Sequence, residues 1–152
     1  MMLSVADQLQ LSALVHRYAA HVDARRFDEV AQLFTVDAEL ILPEPPDQLE
    51  PGVHHRGHDG VRAAMSGLAA VTRTHHGILG EVYAASSTDT VATGEITGVA
   101  HHWIERHGTL TDHVWHLHYR DVYHRTEQGW RIAQRSLIID AIESLPAGRV
   151  RS

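Results

Sequence analysis

The sequence predicts an α+β domain in which a curved, mostly antiparallel sheet wraps around N-terminal helices and encloses one pocket. Three observations carry this. Apolar residues recur at helical spacing only in roughly the first 70 positions, long segments with strand alternation follow from Thr72 to Ile139, and no repeat or linker divides the chain. At 152 residues the whole length, 1–152, reads as a single domain with one core.

Ser4 followed by Asp7 forms a capping box that opens a first helix. Leu11, Leu14, Val15, Tyr18 and Val22 then make one apolar stripe, and the pattern breaks at Asp23-Ala-Arg-Arg. Phe27 to Phe34 repeats the stripe in a shorter helix, and Ala38–Leu42 is a short strand. Pro43–Gly52 contains four of the five prolines, which predicts a stiff loop placed to cover a site. His58–Ala70 reads as a third helix with Val61, Met65 and Leu68 inward. The strands expected afterwards are Thr72–Val82, Val91–Arg106, Val114–Arg125 and Gly129–Ile139, with a hairpin turn at Glu127–Gly129.

Composition narrows the function. A net charge of −6 and the lack of any basic run argue against nucleic acid or an anionic membrane as partner. No signal peptide or spanning segment is apparent, and zero cysteines exclude disulfides and thiolate chemistry, all of which suits a cytoplasmic protein. Glycine-rich nucleotide loops and the Gly-x-Ser-x-Gly elbow are missing, so no cofactor is expected.

Histidine is the unusual residue: 14 of them against 13 lysines and arginines together. Strand alternation allows only one member of His75-His76 and one of His101-His102 to face a pocket. Asp23 at a helix end with two strand imidazoles is a minimal set for moving protons near neutral pH. His116 and His118 share a strand face, which leaves open a metal-dependent reading, although no glutamate follows at the spacing such a site needs.

The run Arg17-Tyr18-x4-Asp23-x-Arg-x-Phe27-Asp28-x2-Ala31-x-Leu33-Phe34-x2-Asp37-Ala38, with Gly129-Trp130-Arg-Ile-Ala-x-Arg135 near the end, resembles the SnoaL-like branch of the nuclear transport factor 2-like superfamily. The likeness spans about Ser4 to Ile142. Within it, the pattern closest to scytalone dehydratase puts the helix-end aspartate on Asp23 and the Arg-Thr-x-His-x-Ile strand on Arg73–Ile78. The catalytic histidines then fall on His76 and, 25 residues on, His101. Bile acid 7α-dehydratase and hexachlorocyclohexane dehydrochlorinase resemble the same subset, and the former adds a tyrosine matching Tyr18. The positions that hold substrate in scytalone dehydratase fall on Val22, Leu42, Leu117 and Tyr119, so those contacts are not retained in kind.

The resemblance implies a cofactor-independent lyase of dehydratase type, or an isomerase or cyclase, acting on a small hydrophobic carbonyl compound such as a polyketide, steroid or terpenoid. His76 is the expected base, Asp23 its orienter, and His101 and Tyr18 acid or oxyanion donors. Tyr119, Trp103, Leu42, Val22 and Leu117 are the expected substrate contacts. A homo-oligomer follows from the same likeness, a trimer first and a dimer second. A non-catalytic binding protein with the same pocket is the alternative reading, and a metal enzyme using His116 and His118 the third.

Overall fold

In the computed structural model, which describes residues 2–152, two helices lead into the sheet. Helix α1 runs Val5–Asp23 and α2 Phe27–Gln32. Strands β1 (Phe34–Glu44) and β2 (Gln48–Arg56) precede helix α3 (Gly57–Ser66) and a 3₁₀ turn at Gly67–Ala70. Strands β3 (Arg73–Ala85), β4 (Val91–Arg106), β5 (Thr109–Thr126) and β6 (Gly129–Pro146) complete one six-stranded sheet of order β2-β1-β6-β5-β4-β3. All neighbours are antiparallel except β1 with β6. This is the expected α+β cone.

The start of α1 is fixed as the sequence implies. Ser4 Oγ accepts from Asp7 N at 3.0 Å, and the Ser4 backbone N–H donates to Asp7 Oδ2 at 3.2 Å. The other Asp7 oxygen accepts from Trp130 Nε1 (3.0 Å) and Arg125 (2.8 Å), tying the helix to the closing hairpin. Those donors hold the Asp7 carboxyl at a pKa of about 2. Leu11, Leu14, Val15, Tyr18 and Val22 are all buried, and the core they join is continuous with Ile96, Leu117, Ile132 and Ile139 of the sheet.

Two expectations change. The proline-rich segment is a turn only at Pro45–Asp47, and Gln48–Gly52 belongs to β2. β2 is an edge strand, where Pro51 can sit without removing a ladder bond on both sides. The strands also run further than their alternation: β5 begins at Thr109, joined to β4 by the two-residue turn His107-Gly108 with both φ positive, and β6 continues to Pro146. These extensions build the wide end of the cone.

Strand β3 carries a bulge. Ile78 pairs with Gly98 but Gly80 pairs with Thr97, so Leu79 is an extra residue, and it is exposed. That one residue decides which histidines face inward.

Candidate active site

Asp23 is the last residue of α1, and its carboxylate meets the first turn-in of β3. Three donors converge on it: Thr74 Oγ1 at 3.0 Å, the His76 backbone N–H at 2.8 Å, and His76 Nδ1 at 2.6 Å. Partial burial raises the Asp23 pKa, but the ring and backbone N–H groups of His76 outweigh it and hold the carboxyl below its ordinary value. An ionised Asp23 makes Nδ1 of His76 the protonated nitrogen and leaves its Nε2 with a lone pair. No hydrogen bond from the described residues occupies that Nε2. The expected pairing of Asp23 with His76 is present.

The second histidine is not the expected one. The bulge at Leu79 pairs His76 with Ala100, and His75 with His101, so His76 shares its face with His102. Were Leu79 paired in the ladder rather than bulged out of it, His76 would sit opposite His101. His102 is buried and meets the His76 ring edge-on, centroids 6.1 Å apart. Its Nδ1 donates to the carbonyl of His113 at 2.9 Å, and burial lowers its pKa to about 4. It is therefore neutral at physiological pH, with Nε2 free to accept.

His101 instead lies on the outer face. Its Nδ1 is 2.6 Å from Asp112 Oδ2, and its ring stacks on Trp103 at 5.3 Å. Trp103 is thus an outer-face residue too, and the tryptophan on the inner face is Trp115, 4.3 Å from the His102 ring. Asp112 also accepts the His102 backbone N–H at 3.2 Å, so one carboxylate steadies both members of the doublet.

A cavity of about 510 Å³ opens at the wide end, a size typical of small-molecule sites. His102 and Trp115 reach it from the sheet, Pro45 and Pro46 from the β1–β2 turn, and Leu68 and Val71 from the segment after α3. The proline turn therefore does line the site, although with two residues, Pro45 and Pro46, rather than ten. His76 and Asp23 are not in its wall; His102, which lines it, is the residue that packs against the His76 ring.

The remaining expected residues lie deeper or elsewhere. Val22 and Leu117 are core residues and Leu42 packs against the core; none of the three lines this cavity. Tyr18 and Tyr119 are buried edge-to-face at 6.0 Å, with the Arg135 guanidinium 4.3 Å and 4.0 Å from their ring centroids. Burial raises both phenol pKa values, so both keep their protons. Arg135 and Asp121, both fully buried in side chain, form a two-pronged pair at 2.8 and 2.6 Å, and Tyr123 donates to Asp121 at 2.6 Å. Nothing in the sequence pairs Asp121 with Arg135; only the β5–β6 register does.

His116 and His118 occupy the outer face, each with its own carboxylate, Glu143 and Asp140 respectively, both at 2.9 Å. Among the described residues no three metal-ligating side chains converge. No helix among them is long and apolar enough to cross a membrane.

The family described as a SnoaL-like domain matches residues 4–136. No curated protein matches the sequence. Similar solved structures include a candidate aromatic ring hydroxylase from Novosphingobium aromaticivorans, 18% identical, TM-score 0.80, covering 93% of this chain and 95% of that one. A candidate scytalone dehydratase from the same organism is 19% identical with a TM-score of 0.77, covering 97% of both chains. A hexachlorocyclohexane dehydrochlorinase of type 2 is 14% identical with a TM-score of 0.76, covering 98% of both. Identities this low establish the fold and nothing finer.

Proposed function

We propose that this chain, which belongs to the SnoaL-like domain family, is a cofactor-independent lyase that removes water from a small hydrophobic β-hydroxy carbonyl compound. The observation that carries the reading is the Asp23–His76 contact beside a histidine held neutral. His76 Nε2 takes the proton next to the carbonyl, and Asp23 stabilises the imidazolium that forms. His102 cannot supply a proton, since its one N–H is committed to the His113 carbonyl. Its free Nε2 accepts a hydrogen bond from the substrate hydroxyl and so orients the leaving group.

The proton that leaves with the hydroxyl is then the one His76 has just taken. The C–H and C–O bonds break on the same face, a C=C bond forms next to the carbonyl, and water departs. For the enolate oxygen we assign the hydroxyls of Tyr18 and Tyr119, which keep their protons. Reaching them requires the substrate to extend past His102 toward the narrow end. Isomerisation or cyclisation would use the same base with a different proton acceptor.

His76→Gln keeps the size of the side chain and removes the base. Turnover on a panel of hydroxy-carbonyl polyketides, steroids and terpenoids should fall by ~10²–10⁴-fold with little change in ligand affinity. A binding protein is the second reading, and the absence of His76 from the cavity wall favours it. That reading prevails if wild-type protein binds members of the panel and transforms none.

A further inference from the structure

On the inner face of the wide end, residues lie in cross-strand rows. His76, Ala100, Trp115 and Ile142 form one, and Thr74, His102, His113 and Ser144 the next. Ile104 follows beside Thr111, and Arg106 beside Thr109 closes the series at the rim. The four steps from His102 to Arg106 span ~13 Å along the strand, with Ile104 between them. The cavity is therefore graded: an imidazole at its inner end, an apolar middle, and a guanidinium at the outer end.

The charge along it is one-sided. The chain carries a net charge of −6, yet no Asp or Glu lines this cavity, whereas Arg106, His102 and His113 do. Arg106 forms no ion pair within the described residues, unlike Arg62, Arg125 and Arg135. His113 beside it is held by Ser144 through Nδ1 at 3.0 Å, adding a polar group to the same rim. An unpaired guanidinium at the rim of an apolar cavity is suited to a planar anion.

We infer that the substrate is a carboxylate: a flat apolar ring system whose reacting carbon lies at His102 and whose carboxylate is held at the rim by Arg106, with His113 beside it. The assignment of the inner end as the reacting end rests on the function proposed above. The carboxylate at the outer end rests on the cavity alone.

The test uses two probes of equal size, naphthalene carboxylate and naphthalene carboxamide, titrated calorimetrically into the full chain near neutral pH. The carboxylate should bind ~tenfold tighter to wild type, and Arg106→Gln should reduce the preference to within about twofold while leaving the amide unchanged. Raising salt from about 50 to about 500 mM should weaken the carboxylate and spare the amide, a check that needs no variant. Equal binding of the two probes by wild type, binding of neither, or a preference that survives Arg106→Gln would overturn the inference. The readout involves no turnover, so the two proposals fail separately. A carboxylate preference without any elimination activity removes the lyase and keeps the ligand class. Elimination from neutral substrates with no preference does the reverse.

Discussion

Replacing Asp121 by Asn tests the buried network at the narrow end of the cone. Both side chains of the Arg135–Asp121 pair are fully buried, and two hydrogen bonds of 2.8 and 2.6 Å join them. With charge centres ~4 Å apart and an effective dielectric constant near 20, their attraction is about 4 kcal/mol. The Asn variant deletes that term and turns an amide N–H₂ toward a guanidinium that cannot lose its proton. Measured losses for breaking buried pairs run about 3–5 kcal/mol. For a domain of this size that corresponds to a fall in melting temperature of roughly 6–20 °C. Urea denaturation with two probes reads the free energy, and coincidence of the two transitions checks that it is two-state. Removing the network as a whole, with Asp121→Leu, Tyr123→Phe and Arg135→Met together, should recover most of the loss, because no charge is then left buried alone. A cost for Asp121→Asn below about 1 kcal/mol, or a triple variant no better than the single one, would refute the view that Asp121 balances a buried cation.

Two further expectations concern the site itself. A methyl group on Gly98 would stand 2.6 Å from the backbone oxygen of Gly77, so Gly98→Ala should push β3 from β4 beside His76 and cost about 2 kcal/mol in a denaturation series. His102 has a folded pKa of about 4, below its unfolded value of 6.5, so the unfolded chain binds the extra proton first. Its contribution is fully present above pH 6.5 and is lost as pH falls toward 4, up to about 3 kcal/mol. His102→Phe should flatten stability over that interval; an unchanged slope would mean that His102 is not the group responsible.

The fold was legible because its elements obey simple periods. Strand β4 has the predicted limits Val91–Arg106, and the stripe from Leu11 to Val22 is buried as read. Strand β2 was hidden because prolines read as a loop, and an edge position cannot be recognised until the sheet order is known. The dyad was legible because Asp23 ends a regular helix and His76 falls on the Arg-Thr-x-His-x-Ile pattern that the family resemblance supplies. His102 was assigned outward for a different reason: alternation tells which residues share a face, not which face is inner, and counting across two strands fails when one carries a bulge. Gly80, a glycine inside a strand pattern, was the available signal for that bulge. The cavity lining was illegible, since Leu68, Pro46 and Trp115 come from segments that only the folded, curved sheet brings together.

The extra residue in β3 also bears on how this site tolerates a change of strand register. β3 is an edge strand, paired on one side by β4, so it is free to slide. Drawing Leu79 into the ladder opposite Gly98 would shift its first half by one position and turn His76 outward. The neighbour that would turn inward, opposite His102, is His75, another imidazole. A doublet at this point lets a lineage gain or lose the bulge without passing through a chain that has no histidine facing Asp23.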